Sequence, residues 1–307
     1  MAKETEIDNR ATIKTKLSIS SKIFYFFAYL VVTLMSLICL VPFIILIASS
    51  LTGENYIRHH GYSMIIHEFS LRAYGLIFKN PLTVFQAYGV SIFITVVGSF
   101  LGVVVITITE YVLSRKDFKY RNKFSFFYYF TTLFNGGMVC TYIFYIQYLH
   151  LKDSLWALIL PGLFNVFYLL IMRSFVSAIP TALIESAKID GAGEWKILFS
   201  IIFPLLKSGL ATITLFMALN YWNDWYNAML YINSSSKYPL QYMLYNMLQE
   251  TQALSRIASQ AGISVTDLPS NSLKMAMAVV ATGPILLVYP FVQKYFVKGI
   301  TVGSVKG

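Results

Sequence analysis

The sequence predicts an all-α membrane protein of six transmembrane helices, and three observations predict it. Hydrophobic residues make up 57% of the chain and charged residues 12%, with a mean hydropathy of +0.62, which places it in the membrane class. Six apolar runs reach about 20 residues, the length that crosses a hydrocarbon core about 30 Å thick. The basic residues are unequally shared between alternate loops, as the positive-inside rule requires.

Residues 1–22 are polar and carry Lys3, Arg10, Lys14, Lys16 and Lys22, which predicts a cytoplasmic N-terminal tail. The first apolar run, 23–51, is longer than the core of a signal peptide and has no clear cleavage site, so it reads as a retained span kinked at Pro42. With the external loop to residue 83 it forms a first unit, 23–83. Five further runs, at about 84–112, 124–149, 155–176, 206–232 and 275–296, make a core unit over 84–296. Its segment 177–205 is a cytoplasmic loop, and 297–307 is a cytoplasmic tail.

Orientation follows from counting. With the N-terminus inside, the cytoplasmic segments hold the five basic residues above, then Arg115, Lys116, Lys119, Arg121, Lys123, Arg173, Lys188, Lys196, Lys207, Lys294, Lys298 and Lys306. The external segments hold Arg58, Arg72, Lys79, Lys152, Lys237, Arg256 and Lys274. Seventeen against seven predicts that both termini are cytoplasmic. Of the two long external loops, 233–274 carries Ser234, Ser235, Ser236 and Pro239 before a helical-looking stretch, 240–263. That loop either covers the entrance as a docking surface or is an ordinary solvated loop with one amphipathic helix.

Several functions are excluded or disfavoured. A formal charge of +10 spread over many loops lacks the clustered basic face that nucleic acid needs. No G-x-x-x-x-G-K-[ST] occurs, so the chain holds no P-loop for a nucleotide. His59, His60, His67 and His150 lie in or beside external loops without zinc-hydrolase spacing, and read as solvated surface residues. Cys39 and Cys140 fall in apolar runs and read as buried small hydrophobes. No nucleophile–base arrangement is present, which argues against an enzyme.

Between two apolar runs lies a charged loop, ESAKIDGAGEWKILFSIIFP, from Glu185 to Pro204. Pro180 suits the first turn of a helix. Leu183, Ile184 and Ala187 then recur at helical spacing, with Glu185, Lys188 and Asp190 mostly opposite. Gly191 and Gly193 can stop the helix in a left-handed cap. About eleven residues give a rod about 16 Å long, too short to span a bilayer. It either docks in a groove on another protein or packs on its own bundle, and spacing alone does not choose.

The order Glu185, Ser186, Ala187, then Gly191, then Ile201 and Pro204 resembles the EAA loop of the membrane-spanning subunits of bacterial ABC importers. The chain departs from the usual pattern at Ser186, where Ala is usual, and at Phe203, where Leu is usual. The stretches IPTALIESAKIDGA, YWNDWYNAMLYI and YFVKGITVGSVKG resemble carbohydrate-importer permeases, and FNGGMVCTY (residues 134–142) resembles those of complex-oligosaccharide importers. The resemblance covers most of residues 84–307. It implies the type I ABC importer permease fold in a bacterial cytoplasmic membrane, with residues 185–191 as a coupling helix in an ATPase cleft. The implied partners are a second homologous permease, two cytoplasmic ATPases, an external or periplasmic solute-binding protein and a carbohydrate. This chain itself needs no cofactor, because ATP and Mg would be bound by the ATPase.

Intramembrane charges cost about 2.5–3.5 kcal/mol each on insertion scales, and two acids fall inside runs. Glu110 lies near the cytoplasmic end of its span, within reach of the interface or of Arg115. Asp224 lies roughly 25 Å along a helix from Lys207, within Tyr221, Trp222, Asn223, Asp224 and Trp225. Aromatic platforms beside planar polar groups suit sugars, which present apolar C–H faces next to dense hydroxyls. On a helix Tyr221 and Trp225 would share a face with Asp224 one step around. The same residues also suit an interfacial anchor or a bridge between helices. An ion-coupled sugar transporter remains an alternative, although no internal repeat is apparent, and a membrane-bound glycan-processing enzyme is a further one.

Overall fold

The computed structural model describes residues 18–260 and 270–286, and no strand occurs among them. The apolar runs become helices because a backbone in hydrocarbon must satisfy its own polar groups. The first, α1 (Ile19–Ser50), continues through Pro42 as one helix, and its only buried residues are Ala48, Ser49 and Ser50 at the end. Two short helices, α2 (Glu54–His60) and α3 (Arg72–Ile77), lead into α4 (Pro81–Ser114). Pro81 starts α4 at the position where its missing N–H costs nothing. Among the described residues, α1 and α4 are the unbroken helices long and apolar enough to cross a membrane.

The other expected spans are interrupted. The third run forms α5 (Arg121–Leu133) and α6 (Gly137–Ile143), which passes into a wider π-type turn to Tyr148. Its break at residues 134–136 has a local cause: the Asn135 side chain accepts the Gly137 N–H at 2.9 Å, and Gly137 takes a φ of +74°. The fourth run forms α7 (Trp156–Ile159) and α8 (Val166–Val176), bent by 51° where Pro161 and Gly162 interrupt the ladder. Asn165 caps α8 by accepting the Phe167 N–H at 2.8 Å.

Next come α9 (Thr181–Ile189) and α10 (Glu194–Ile197), then a π-type turn through Ile202 into α11 (Phe203–Leu205). The chain bends by 80° before α12 (Lys207–Trp222). The fifth run thus splits into α12 and α13 (Tyr226–Tyr231). The helix expected over 240–263 is α14 (Leu240–Gln260), and α15 covers 270–286. The end of the sixth span, the 297–307 tail and residues 1–17 lie outside the described residues.

The core forms around α4, with α8 and α12 against it. Gly98 and Gly102, four apart on α4, make a groove for α12: a Cβ on Gly98 would fall 2.5 Å from the Tyr221 ring, and one on Gly102 would fall 1.9 Å from Met217 Cε. Lipid is as apolar as Leu, so helices in a bilayer associate through such close fits rather than by hydrophobic expulsion. A second cluster at the N-terminal end of α4 joins Ala73, Ile77, Val84, Trp222, Leu240, Met243, Met277 and Ala281.

Polar clamps fix the loops at that end. The Glu54 carboxylate accepts the backbone N–H groups of Asn271 and Ser272, at 3.0 and 2.9 Å, and so caps α15. Asp153 accepts the Ser234 N–H at 2.9 Å and the Lys237 ammonium at 2.9 Å, joining the α6–α7 loop to the segment before α14. The Ser234 hydroxyl and N–H, with Lys237, hold the Asp153 carboxyl well below the usual carboxylate range.

One expectation is corrected: Cys39 and Cys140 lie on the surface of the subunit rather than in its core. His59, His60 and His150 are exposed as expected, and His60 and the half-buried His67 stack on Tyr56 with ring centroids 4.5 and 4.2 Å away.

Candidate coupling loop and aromatic site

The loop helix α9 has nine residues, about 13.5 Å of rise. Pro180 stands just before it, with φ −60° and ψ 128°. At the other end Gly191 takes a φ of +77°. Its N–H reaches the Lys188 carbonyl at 3.0 Å, and the Ala192 N–H reaches the Ala187 carbonyl at 2.9 Å. This pair of bonds is a Schellman cap. Gly193 has an ordinary φ of −70° and opens α10 instead of stopping α9.

Ala187 faces the core, while Glu185, Ser186 and Asp190 are exposed. The Ser186 hydroxyl returns to the Ala182 carbonyl at 2.9 Å, so the departure from Ala leaves the helix intact. Three large apolar side chains also face outward: Leu183, Ile189 at 87% exposure and Trp195 at 67%. Downstream, Ile201 is half-buried and Pro204 exposed. Pro204 follows the π-type turn at Leu198–Ile202, where its missing N–H leaves the regular ladder one donor short.

A cluster of charges that the sequence did not single out ties α9 to the C-terminal end of α4. Lys188 lies 2.8 Å from Glu194 and 3.2 Å from Asp117, and Arg115 lies 2.8 Å from Asp117 and 3.5 Å from Glu194. The Tyr111 hydroxyl donates to Glu194 at 2.6 Å. Arg115, with Lys188 beside it, holds the Asp117 carboxyl well below its usual range. Lys188 and Tyr111 lower Glu194, and Glu194 with Asp117 raises Lys188. Asp117 was legible as the lone acid in RKDFKYRNK.

Glu110 pairs with Arg173 on α8, not with Arg115. Arg173 Nε donates to Glu110 Oε1 at 2.9 Å, and the Glu110 side chain is wholly buried. The same guanidinium donates to Ser125 Oγ at 3.0 Å and Tyr129 Oη at 3.2 Å, so one side chain links α4, α5 and α8. A cavity of about 500 Å³ opens between this pair and α9, lined by Glu185, Lys188, Ile184 and Ile202 among others.

The aromatic stretch divides at the break between α12 and α13. Tyr221 is buried, donating to the Ile159 carbonyl at 2.7 Å, and Trp222 Nε1 donates to the Ala281 carbonyl at 3.0 Å. The expected shared face of Tyr221 and Trp225 therefore does not form, because residues 223–225 are not helical. Asp224 accepts the Asn227 backbone N–H at 3.0 Å and its amide at 2.7 Å, which starts α13. Asn223 donates to the Leu219 carbonyl at 2.8 Å and accepts from Gln241 at 3.3 Å. Trp225 stacks on Tyr245 of α14, centroids 4.5 Å apart and planes 24° apart. Tyr245 had no signal in the sequence beyond its place on an amphipathic helix. Among the described residues no group of His, Cys, Asp and Glu could hold a metal.

Residues 115–302 match the family described as the binding-protein-dependent transport system inner membrane component. The chain is 40% identical to the polygalacturonan/rhamnogalacturonan transport system permease protein YtcP of Bacillus subtilis (strain 168), over 94% of this chain and 99% of that one. It is 26% identical to the arabinooligosaccharides transport system permease protein AraQ of Halalkalibacterium halodurans, over 88% and 92%. A crystal structure of a bacterial ABC transporter involved in the import of the acidic polysaccharide alginate contains a chain that superposes with a TM-score of 0.74 at 27% identity, covering 92% of this chain and 99% of that one. The chain belongs to the binding-protein-dependent transport system inner membrane component family, and so is a membrane-spanning transport subunit rather than an enzyme.

Proposed function

We propose that this chain is the permease through which an ABC importer moves a complex oligosaccharide, with α9 as the helix that an ATPase drives. The observation that carries the reading is α9 itself: a short, capped helix that turns Glu185, Leu183 and Ile189 outward while Ala187 is buried and Lys188 pairs with Glu194 and with Asp117, just past the end of α4. Apolar side chains on a helix too short to span a bilayer suit a groove on a partner. The names of the similar permeases support a large glycan as cargo.

In this reading two cytoplasmic ATPases bind ATP and Mg, a second homologous permease completes the channel, and a solute-binding protein delivers cargo from outside. Both termini face the cytoplasm. Glu185, Ser186, Ala187, Asp190 and Gly191 form the docking helix, and Ile201 and Pro204 set the angle at which it joins the core. Closure of the ATPases moves α9, and the charge cluster passes the motion to the end of α4. The permeases then rock to open the cavity outward. Asn223, Asp224 and Trp225 line the outer route, while Tyr221 and Trp222 hold α12 in place.

The test is co-purification of the ATPase with Glu185→Lys and Gly191→Val variants, together with ATP-driven uptake. Both variants should insert in the membrane and lose uptake. Normal uptake by both would remove α9 from the coupling path.

A further inference from the structure

We infer that a pocket at the outer end of the fold, formed by Trp225, Gln241, Tyr245 and Lys274, binds a carboxylate-bearing sugar unit of the cargo. This rests on the reading of the chain as an oligosaccharide permease and adds the charge class of the glycan. The cavity measures about 190 Å³ and lies where the break after α12 meets α14 and α15. Its chemistry comes in three parts.

The first is an apolar plate. Trp225 and Tyr245 stack at 4.5 Å, and Trp225 keeps 37% of its surface exposed, so a face or edge is open for the C–H side of a pyranose. The second is an amide. Gln241 donates to Asn223 at 3.3 Å, which fixes the orientation of the side chain and leaves its carbonyl oxygen to accept from a hydroxyl. The third is a cation. Lys274 is half-buried, and among the described residues its ammonium makes no hydrogen bond or ion pair.

Lys274 differs from Lys237, which is held by Asp153 at 2.9 Å. Nor is it neutralised by the nearest acid of the aromatic stretch, since Asp224 is turned to Asn227. An ammonium in a pocket with an apolar wall forms a stronger bond to a carboxylate than it would in open water. A neutral sugar would leave that charge unused. A uronate unit supplies a C–H face, hydroxyls and a carboxylate together.

The experiment uses the complete transporter in phosphatidylcholine vesicles, with trigalacturonate and its neutral methyl ester as probes. Lys274→Gln should raise the KM for trigalacturonate about tenfold, a loss of about 1.4 kcal/mol, and leave the KM for the ester unchanged. Lys274→Arg should keep the wild-type preference. An unchanged KM for trigalacturonate in Lys274→Gln overturns the inference. So does an equal loss for both probes, which would mark a packing role. If Lys274→Gln alters activity only when anionic lipid is present, the pocket serves a lipid headgroup and the inference fails. If the wild-type transporter carries neither probe while driving uptake of a neutral oligosaccharide, the acidic cargo is wrong and the permease reading stands. Failure of every oligosaccharide would defeat the permease reading itself.

Discussion

Glu110 is wholly buried and bonded to Arg173 at 2.9 Å, and the two residues are unequal partners. Removing the cation leaves a carboxylate stranded in an apolar interior, which costs about 3–5 kcal/mol, whereas replacing both ends removes the stranded charge. Arg173→Met should therefore lower the thermal stability of the assembled transporter in detergent markedly. Glu110→Gln with Arg173→Met should recover much of the loss. Equal or additive losses in the single and double variants would show that the pair contributes through packing alone. The sequence marked Glu110 as a costly intramembrane charge and offered the interface or nearby Arg115 to satisfy it. The true partner lies 63 residues away on another helix, a relation that no local spacing encodes.

At the scale of elements, α9 was legible because its boundaries are written in residues with special backbone chemistry. Pro180 stands at its start and Gly191 takes the left-handed cap, where a Cβ would meet nothing within 4 Å. Gly191→Ala should therefore cost only backbone strain, about 1 kcal/mol, and should raise hydrogen exchange in 187–192 without blocking insertion. Unchanged protection there would mean the cap is not needed.

The charge cluster adds a pH dependence of known sign. Asp117 and Glu194 are lowered, so their contribution is full above about pH 4, the ordinary carboxylate range, and is lost as pH falls through their folded values. Lys188 is raised, so its contribution is full below about pH 10.4 and is lost as pH rises through its folded value. The protection of amides across 181–197 against hydrogen exchange, taken relative to the intrinsic rate at each pH, should be flat between those limits and fall outside them. A fall confined to pH 6–7 would point to a group outside the cluster.

The interruptions of the third, fourth and fifth runs were not read from hydropathy, which registers apolar length and not backbone continuity. The causes were nevertheless present in Asn135–Gly136–Gly137 and in Pro161–Gly162. Asn223–Asp224 gave a weaker sign, because both side chains compete with the helix ladder. The aromatic stretch was half legible: a continuous helix was assumed, and the break sends Tyr221 and Trp225 to different neighbours.

For the whole molecule, composition and apolar run length were enough to reach a membrane-spanning helical fold, since hydrocarbon admits few alternatives. The tight α4–α12 contact depends on Gly98 and Gly102, whose four-residue spacing is a known device for close helix approach. Gly102→Leu should displace Met217 and reduce assembly with the partner subunits, read as the yield of intact complex on size exclusion. A normal yield would show that α12 can shift without consequence.

If ATP hydrolysis in a separate subunit drives an oligosaccharide through this chain, the decisive measurement is uptake of a labelled oligosaccharide into vesicles carrying the complete transporter, with proton and sodium gradients collapsed. Uptake should require ATP, survive loss of both gradients and disappear in Glu185→Lys. Uptake that follows an ion gradient without ATP, or that is indifferent to Glu185→Lys, would contradict this coupling.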